Sequence, residues 1–219
     1  MSQSSTQRAI SELRQLIFSG VLPAGSDHLE SELAERLDMS RTPVREAALM
    51  LESQGLLAMR PRKGVRILPV SADDMREIYD VLTELEGLSA ERAAGYGYGD
   101  DDLTALAASI ADMDKAVEAR ALEDWAEADD RFHTELVRLG GNSRAVSIVG
   151  MMQDQVRRAR ATTLYIRPTP TQSNADHRGV LDAIGAGDGA LARRIHTRHR
   201  DQAKRMILEL LEKHHLHTL

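Results

Sequence analysis

Apolar residues at Ile10, Leu13, Leu16 and Ile17 recur at helical spacing, and Gly20 followed by Pro23 ends that helix. A short helix follows around Leu33, Ala34 and Leu37. After Asp38-Met39-Ser40, a third carries Val44, Ala47, Ala48 and Leu51 on one face. Ser40 or Thr42 is placed to cap its start, Pro43 is tolerated in a first turn whose amides have no intrahelical acceptor, and Gly55 closes it. The pattern then changes: Leu57-Ala58-Met59 and Val65-Arg66-Ile67-Leu68 read as two short strands joined by the basic hairpin Arg60-Pro61-Arg62-Lys63-Gly64.

Beyond Pro69-Val70-Ser71 the pattern is helical throughout. The expected helices span 72–97, 101–120, 122–139, 143–166, 172–185 and 188–213. Their breaks fall at Gly95 to Gly99, Leu122-Glu123, Gly140-Gly141, Pro168 to Pro170 and Gly185 to Gly189. No segment there has strand periodicity and no repeat is visible. The expected fold is mainly α: an N-terminal winged helix-turn-helix in residues 1–69, a linker at 70–71, and a C-terminal all-α antiparallel helical bundle in 72–219.

A length of 219 residues suits one large or two small domains. Cysteine is absent, which removes disulfides, thiolate catalysis and cysteine-ligated zinc. Aromatic residues make up only 3%, too few for a base-stacking platform. No apolar run reaches the ~18 residues of a membrane span, and no signal-peptide pattern opens the chain, so the expectation is a cytoplasmic protein with no membrane partner.

The net charge of −6 argues against coating nucleic acid over the whole surface. Its distribution is uneven. Residues 1–70 hold nine Lys/Arg and eight Asp/Glu, and the rest hold 19 and 26. Arg60, Arg62, Lys63 and Arg66 cluster without an intervening acid.

This asymmetry gives the first seventy residues a chemistry. Burying Val44, Ala47 and Leu51 leaves Arg41, Thr42 and Arg45 together at the exposed start of the third helix, the end that a recognition helix pushes into the major groove. Arginine can grip guanine O6 and N7 with two hydrogen bonds, and a threonine hydroxyl suits a phosphate or base edge. The wing cations lie where a phosphate backbone would pass. A small helical domain with a solvated arginine face is the plainer alternative, and the basic hairpin speaks against it.

The stretch Leu33-Ala-Glu-Arg-Leu-Asp-Met-Ser-Arg-Thr-Pro-Val-Arg-Glu-Ala-Ala48, with Leu51-Glu-x-x-Gly-Leu56 and Arg62-Lys-Gly-Val65, resembles the DNA-binding domain of the GntR family of bacterial transcription regulators. The resemblance implies operator contacts from Arg41, Thr42 and Arg45, and from the wing at Arg62, Lys63 and Gly64. Two positions depart from the family pattern: Ser31 stands where many relatives have a DNA-reading arginine, and Asp38 stands at the turn glycine, a residue able to enter the left-handed region.

In the C-terminal part the chemistry lies in histidines. Asp129 and His133 are four apart and share a helix face, while His177 starts one later helix and His199 lies in the next, across a glycine-rich break. Three imidazoles and a carboxylate would suit a divalent transition metal with open positions. His196, His214, His215 and His217 are also available, and a lone helical histidine is more often hydrogen-bonded or solvated than ligating. Asp129-Asp-Arg-Phe-His133, the Gly141-Asn142 pair, and His177 with a histidine 22 residues later resemble the FCD effector domain of the FadR subfamily. This resemblance implies zinc or nickel held by Asp129, His133, His177 and His199, with a small carboxylate effector at the metal's free positions. A histidine-lined pocket binding an anion directly is the alternative.

Relatives commonly carry a pocket arginine where this chain has Leu82. Its loss points to a monocarboxylate or a ligand with an apolar part, unless Arg157, Arg158 or Arg160 substitutes.

The expected function is a ligand-responsive transcription regulator, a repressor, acting as a homodimer on a palindromic operator in double-stranded DNA. Two rivals remain. One is a metal-dependent hydrolase or lyase fused to a DNA-binding head, although there is no His-Glu-x-x-His sequence and no motif nominates a general base. The other is a bundle that only dimerises.

Overall fold

The computed structural model describes residues 4–213 and divides the chain into two compact units, one ending at Ser71 and the other beginning at Ala72. His214, His215 and His217 lie outside the described residues.

In the first unit, α1 (Ser5–Phe18), α2 (Glu30–Arg36) and α3 (Arg41–Ser53) enclose a core built from Leu13, Leu33, Val44, Ala47 and Leu51. Helix α1 starts at Ser4, whose hydroxyl accepts from the Gln7 amide at 3.1 Å. Ser40 occupies the corresponding place before α3, but its side chain makes no capping hydrogen bond. The turn between α2 and α3 is closed by Asp38, which adopts the left-handed conformation at φ 48°.

Strands β2 (Leu57–Arg60) and β3 (Gly64–Ile67) form the expected hairpin with the register Leu57↔Ile67 and Arg60↔Gly64. The two-residue β1 (Asp27–His28) adds to the other edge of β3, giving the antiparallel order β1-β3-β2. Two residues are too short to show a period, which is why the pattern missed β1.

The second unit is wholly helical among the described residues: α4 (Ala72–Gly95), α5 (Asp100–Ala119), α6 (Leu122–Leu139), α7 (Ser143–Thr163), α8 (Thr171–Gly185) and α9 (Gly189–Lys213). Helix α4 packs along α9 and against α6, and α5 and α8 close the bundle around Leu106, Met113, Phe132, Leu136 and Val180. Helix α7 stops at Thr163, three residues before the expected end. A single tighter turn at Leu164–Ile166 leads into the Pro168–Pro170 break.

The α6–α7 turn fixes how closely α6 approaches α4. A Cβ at Gly140 would lie 2.7 Å from the Ser89 Cα, and Gly141 turns the chain at φ 64°. Asn142 then caps α7, accepting from the Arg144 and Ala145 amides at 3.0 and 3.2 Å.

Candidate functional site

The amphipathic pattern of α6 places Asp129 and His133 one turn apart on its buried face. His177 arrives from the second turn of α8 and His199 from the middle of α9. One donor atom from each of these four side chains lies within 4.8 Å of the others. Asp129 is 3.7 Å from His133 Nε2 through one oxygen and 3.6 Å from His177 Nε2 through the other. Around one ion with bonds of ~2.0–2.2 Å, donors stand about 3–4 Å apart, so a slight contraction of these side chains would place them on a common centre.

Burial and neighbouring charge set the chemical state of Asp129, His133 and His177. Burial holds the His133 imidazole below the ordinary histidine range and His177 well below it, so both stay neutral, the form that ligates metals. Burial opposes charge on Asp129, but the Arg160 guanidinium at 2.8 Å outweighs it and keeps the carboxyl below its usual range. Both ring nitrogens of His133 and both of His177 lack a hydrogen-bond partner. A buried nitrogen left without a partner is costly, and an ion at the centre would satisfy one on each ring. The residues present fit a divalent transition metal.

A second layer supports the first. Glu86 of α4 is fully buried, with Oε2 3.1 Å from His133 Nδ1, although that contact is not aligned as a hydrogen bond. Metal-bound histidines are commonly oriented by a carboxylate in this place. Glu86 accepts two hydrogen bonds from Arg200, one of 2.6 Å, and contacts His196 Nε2 at 2.8 Å. Burial works against its charge, but Arg200 prevails and holds the carboxyl well below the glutamate range. Glu86, His133 and His196 could also group around an ion. They are the less suited set, because both Glu86 oxygens already serve Arg200, and neither Glu86 nor His196 lines the adjacent cavity.

That cavity, of about 240 Å³, opens beside Asp129, His133 and His199. Its walls are largely apolar, with Tyr79, Leu122, Trp125, Leu164 and Met206, and it also receives Arg160, Arg167 and Arg200. Leu82 is buried in α4 away from it, and neither Arg157 nor Arg158 lines it. Of the three arginines named as substitutes, only Arg160 reaches it. Glu86 and Arg167 were not foreseen. Glu86 had a signal, a carboxylate on the buried stripe Tyr79, Leu82, Thr83, Ala90 of α4, which carries no other charge. Arg167 had none.

In the first unit Arg41, Thr42 and Arg45 are all exposed at the start of α3. Arg41, Arg45, Arg62 and Gly64 line one groove that joins this helix end to the hairpin, with Thr42 and Lys63 outside the groove lining. Arg60 and Arg66 are paired with Asp27 at 3.4 and 2.8 Å, whereas Arg62 and Lys63 are exposed with no ion pair among the described residues. Gly64 has a reason of its own to be glycine. At φ 81° its missing Cβ would sit 2.2 Å from the His28 carbonyl oxygen, so β1 can approach only a glycine.

Comparison with known proteins matches residues 5–67 to the bacterial regulatory proteins of the gntR family and residues 77–202 to the FCD domain. An uncharacterized HTH-type transcriptional regulator from Streptomyces ambofaciens is 32% identical over 195 residues, covering 86% of this chain and 78% of its own. The HTH-type transcriptional repressor RspR of Escherichia coli is 24% identical over 212 residues, 97% of this chain and 92% of its own. The solved structure of E. coli McbR/YncC superposes with a TM-score of 0.76 at 23% identity, covering 97% of this chain and all of that one, which shows the shared fold. These families are regulators of transcription, as expected, and the rival reading of a fused hydrolase or lyase is dropped. Among the described residues no helix is long and apolar enough to cross a membrane. The chain belongs to the GntR family of bacterial DNA-binding transcription regulators, with an FCD domain following its winged helix-turn-helix.

Proposed function

We propose that this regulator is a repressor acting in the bacterial cytoplasm as a homodimer on a palindromic operator, and that a small carboxylate effector controls it through zinc or nickel held by Asp129, His133, His177 and His199. The observation that carries the effector site is the convergence of these four donors, three of them on the wall of a largely apolar cavity. When bound, the metal supplies a Lewis-acid position for an effector carboxylate. Asp129 and the histidines hold that position, Glu86 orients His133, and the apolar wall excludes water from the effector's body.

In the head, residues 1–69, Arg41, Thr42 and Arg45 read base edges and phosphates while Arg62, Lys63 and the Gly64 backbone meet the flanking phosphate backbone. Residues 70–71 link it to the effector and dimerisation domain, residues 72–219. One recognition helix covers only a few base pairs, so a two-fold pair reading an inverted repeat gives the specificity a regulator needs. Effector contacts to α6, α8 and α9 shift the packing of the bundle that joins the two heads. A coupling of ~1–3 kcal/mol changes operator affinity by about 5–150-fold.

Selection from a random duplex library tests the DNA half of this reading. The enriched sites should be inverted repeats that bind two chains. Enrichment of single half-sites bound by one chain contradicts it.

A further inference from the structure

Arg167 stands apart from the other two cations of the cavity. Arg160 meets Asp129 and Asp130 at 2.8 and 2.7 Å, and Arg200 is held by both oxygens of Glu86. Arg167 has no carboxylate within ion-pair distance among the described residues, and it feels Asp129 only at longer range. Its Nε and Nη2 both donate to a single neutral acceptor, the Thr163 hydroxyl, at 2.9 and 2.7 Å. That hydroxyl in turn donates to the Ala159 carbonyl at 2.8 Å, so Thr163 is fixed and aims the guanidinium. Burial pulls Arg167 down to about 10, which leaves it charged at neutral pH but poorly compensated. A guanidinium has five N–H donors in a planar fork, and the Thr163 contact uses only two.

The electrostatics of the cavity follow from this. The other carboxylate on the lining, Asp176, is already engaged by Arg198 at 3.0 Å and Gln172 at 3.1 Å. A divalent ion among Asp129 and the three histidines would therefore take one formal negative charge from its ligands, and Arg167 would add a second positive centre to the same cavity. A single carboxylate neutralises one of them. Tyr79, Leu122, Trp125, Leu164 and Met206 give the cavity a largely apolar lining suited to a short carbon chain.

We propose that Arg167 grips a second acidic group of the effector, so that the ligand is a small acid with two anionic ends, a dicarboxylate or a phosphorylated carboxylate. This rests on the effector site proposed above, and it replaces the monocarboxylate that Leu82 suggested. The arginine absent from α4 is supplied by the α7–α8 connection. The planar fork suits a carboxylate or phosphate bound through two parallel hydrogen bonds.

The test is calorimetric titration of the zinc-loaded full-length protein with matched acids: succinate against butyrate, malate against 3-hydroxybutyrate, and 3-phosphoglycerate against glycerate. The doubly anionic member of at least one pair should bind about tenfold or more tightly, and which pair responds tells carboxylate from phosphate. Arg167→Gln should abolish that preference and Arg167→Lys should keep part of it, with zinc per chain unchanged in both. Equal affinities within every pair, no binding of any diacid, or a preference that survives Arg167→Gln overturns the proposal. An Arg167-dependent preference in a protein that binds no zinc would uphold Arg167 and discard the metal; zinc binding without the preference would do the reverse.

Discussion

Glu86 is the residue on which the buried chemistry of the second unit turns. It is fully buried on an apolar helix face, neutralises Arg200, contacts His196 and stands behind His133. Removing one partner of a buried ion pair leaves the other charge stranded. Glu86→Ala should therefore cost about 3–5 kcal/mol in chemical denaturation of the metal-free protein, far more than truncating the exposed Glu212. His133→Ala should act differently, lowering bound metal to well below one per chain, measured by elemental analysis, while the protein stays folded. Full metal content in that variant would move the site elsewhere. On the DNA side, Arg45→Ala should weaken operator binding by ~1–3 kcal/mol in an anisotropy titration, the size of one bidentate base contact. Arg45 is exposed and only loosely associated with Glu30 at 3.8 Å, so it is available for such a contact, and an unchanged binding curve would remove it from base readout.

The helices were legible in the sequence because their apolar faces repeat over many turns, as with Leu103, Leu106, Ile110 and Met113 in α5. Asp129 and His133 were legible as a pair for the same reason, since four residues of helix bring two side chains to one place. Their meeting with His177 and His199 depends on packing between helices, which spacing alone does not encode; the family resemblance supplied it. Glu86 became meaningful only once Arg200, 114 positions later, was seen beside it. Arg167 lies in a proline-flanked connection, where no period says which way a side chain turns. The turn at Gly140 was readable as a break but not as a contact. Because a Cβ there would meet the Ser89 backbone, Gly140→Ala should cost about 1–3 kcal/mol and lower the melting temperature without altering the first unit's fold.

At the scale of the whole molecule, the two units divide the labour that the charge distribution suggested. A slightly basic head exposes Arg62 and Lys63, which have no ion pair among the described residues, and an acidic helical unit encloses His133, His177, His196 and His199. On the proposed function, linkage between them would be reciprocal: an effector that changes operator affinity by some factor must have its own affinity changed by operator DNA by the same factor. The claim on which this rests is that the effector sits on a metal in the bundle. A thermal-unfolding screen of the full-length protein against small mono- and dicarboxylic acids, run with and without a chelator, tests it most directly. A ligand at about 100 times its Kd should add ~2.7 kcal/mol and raise Tm by about 5–10 °C, and chelation should abolish the shift. A shift of the same size in chelated protein, or no shift with any acid, would contradict the metal-borne effector site.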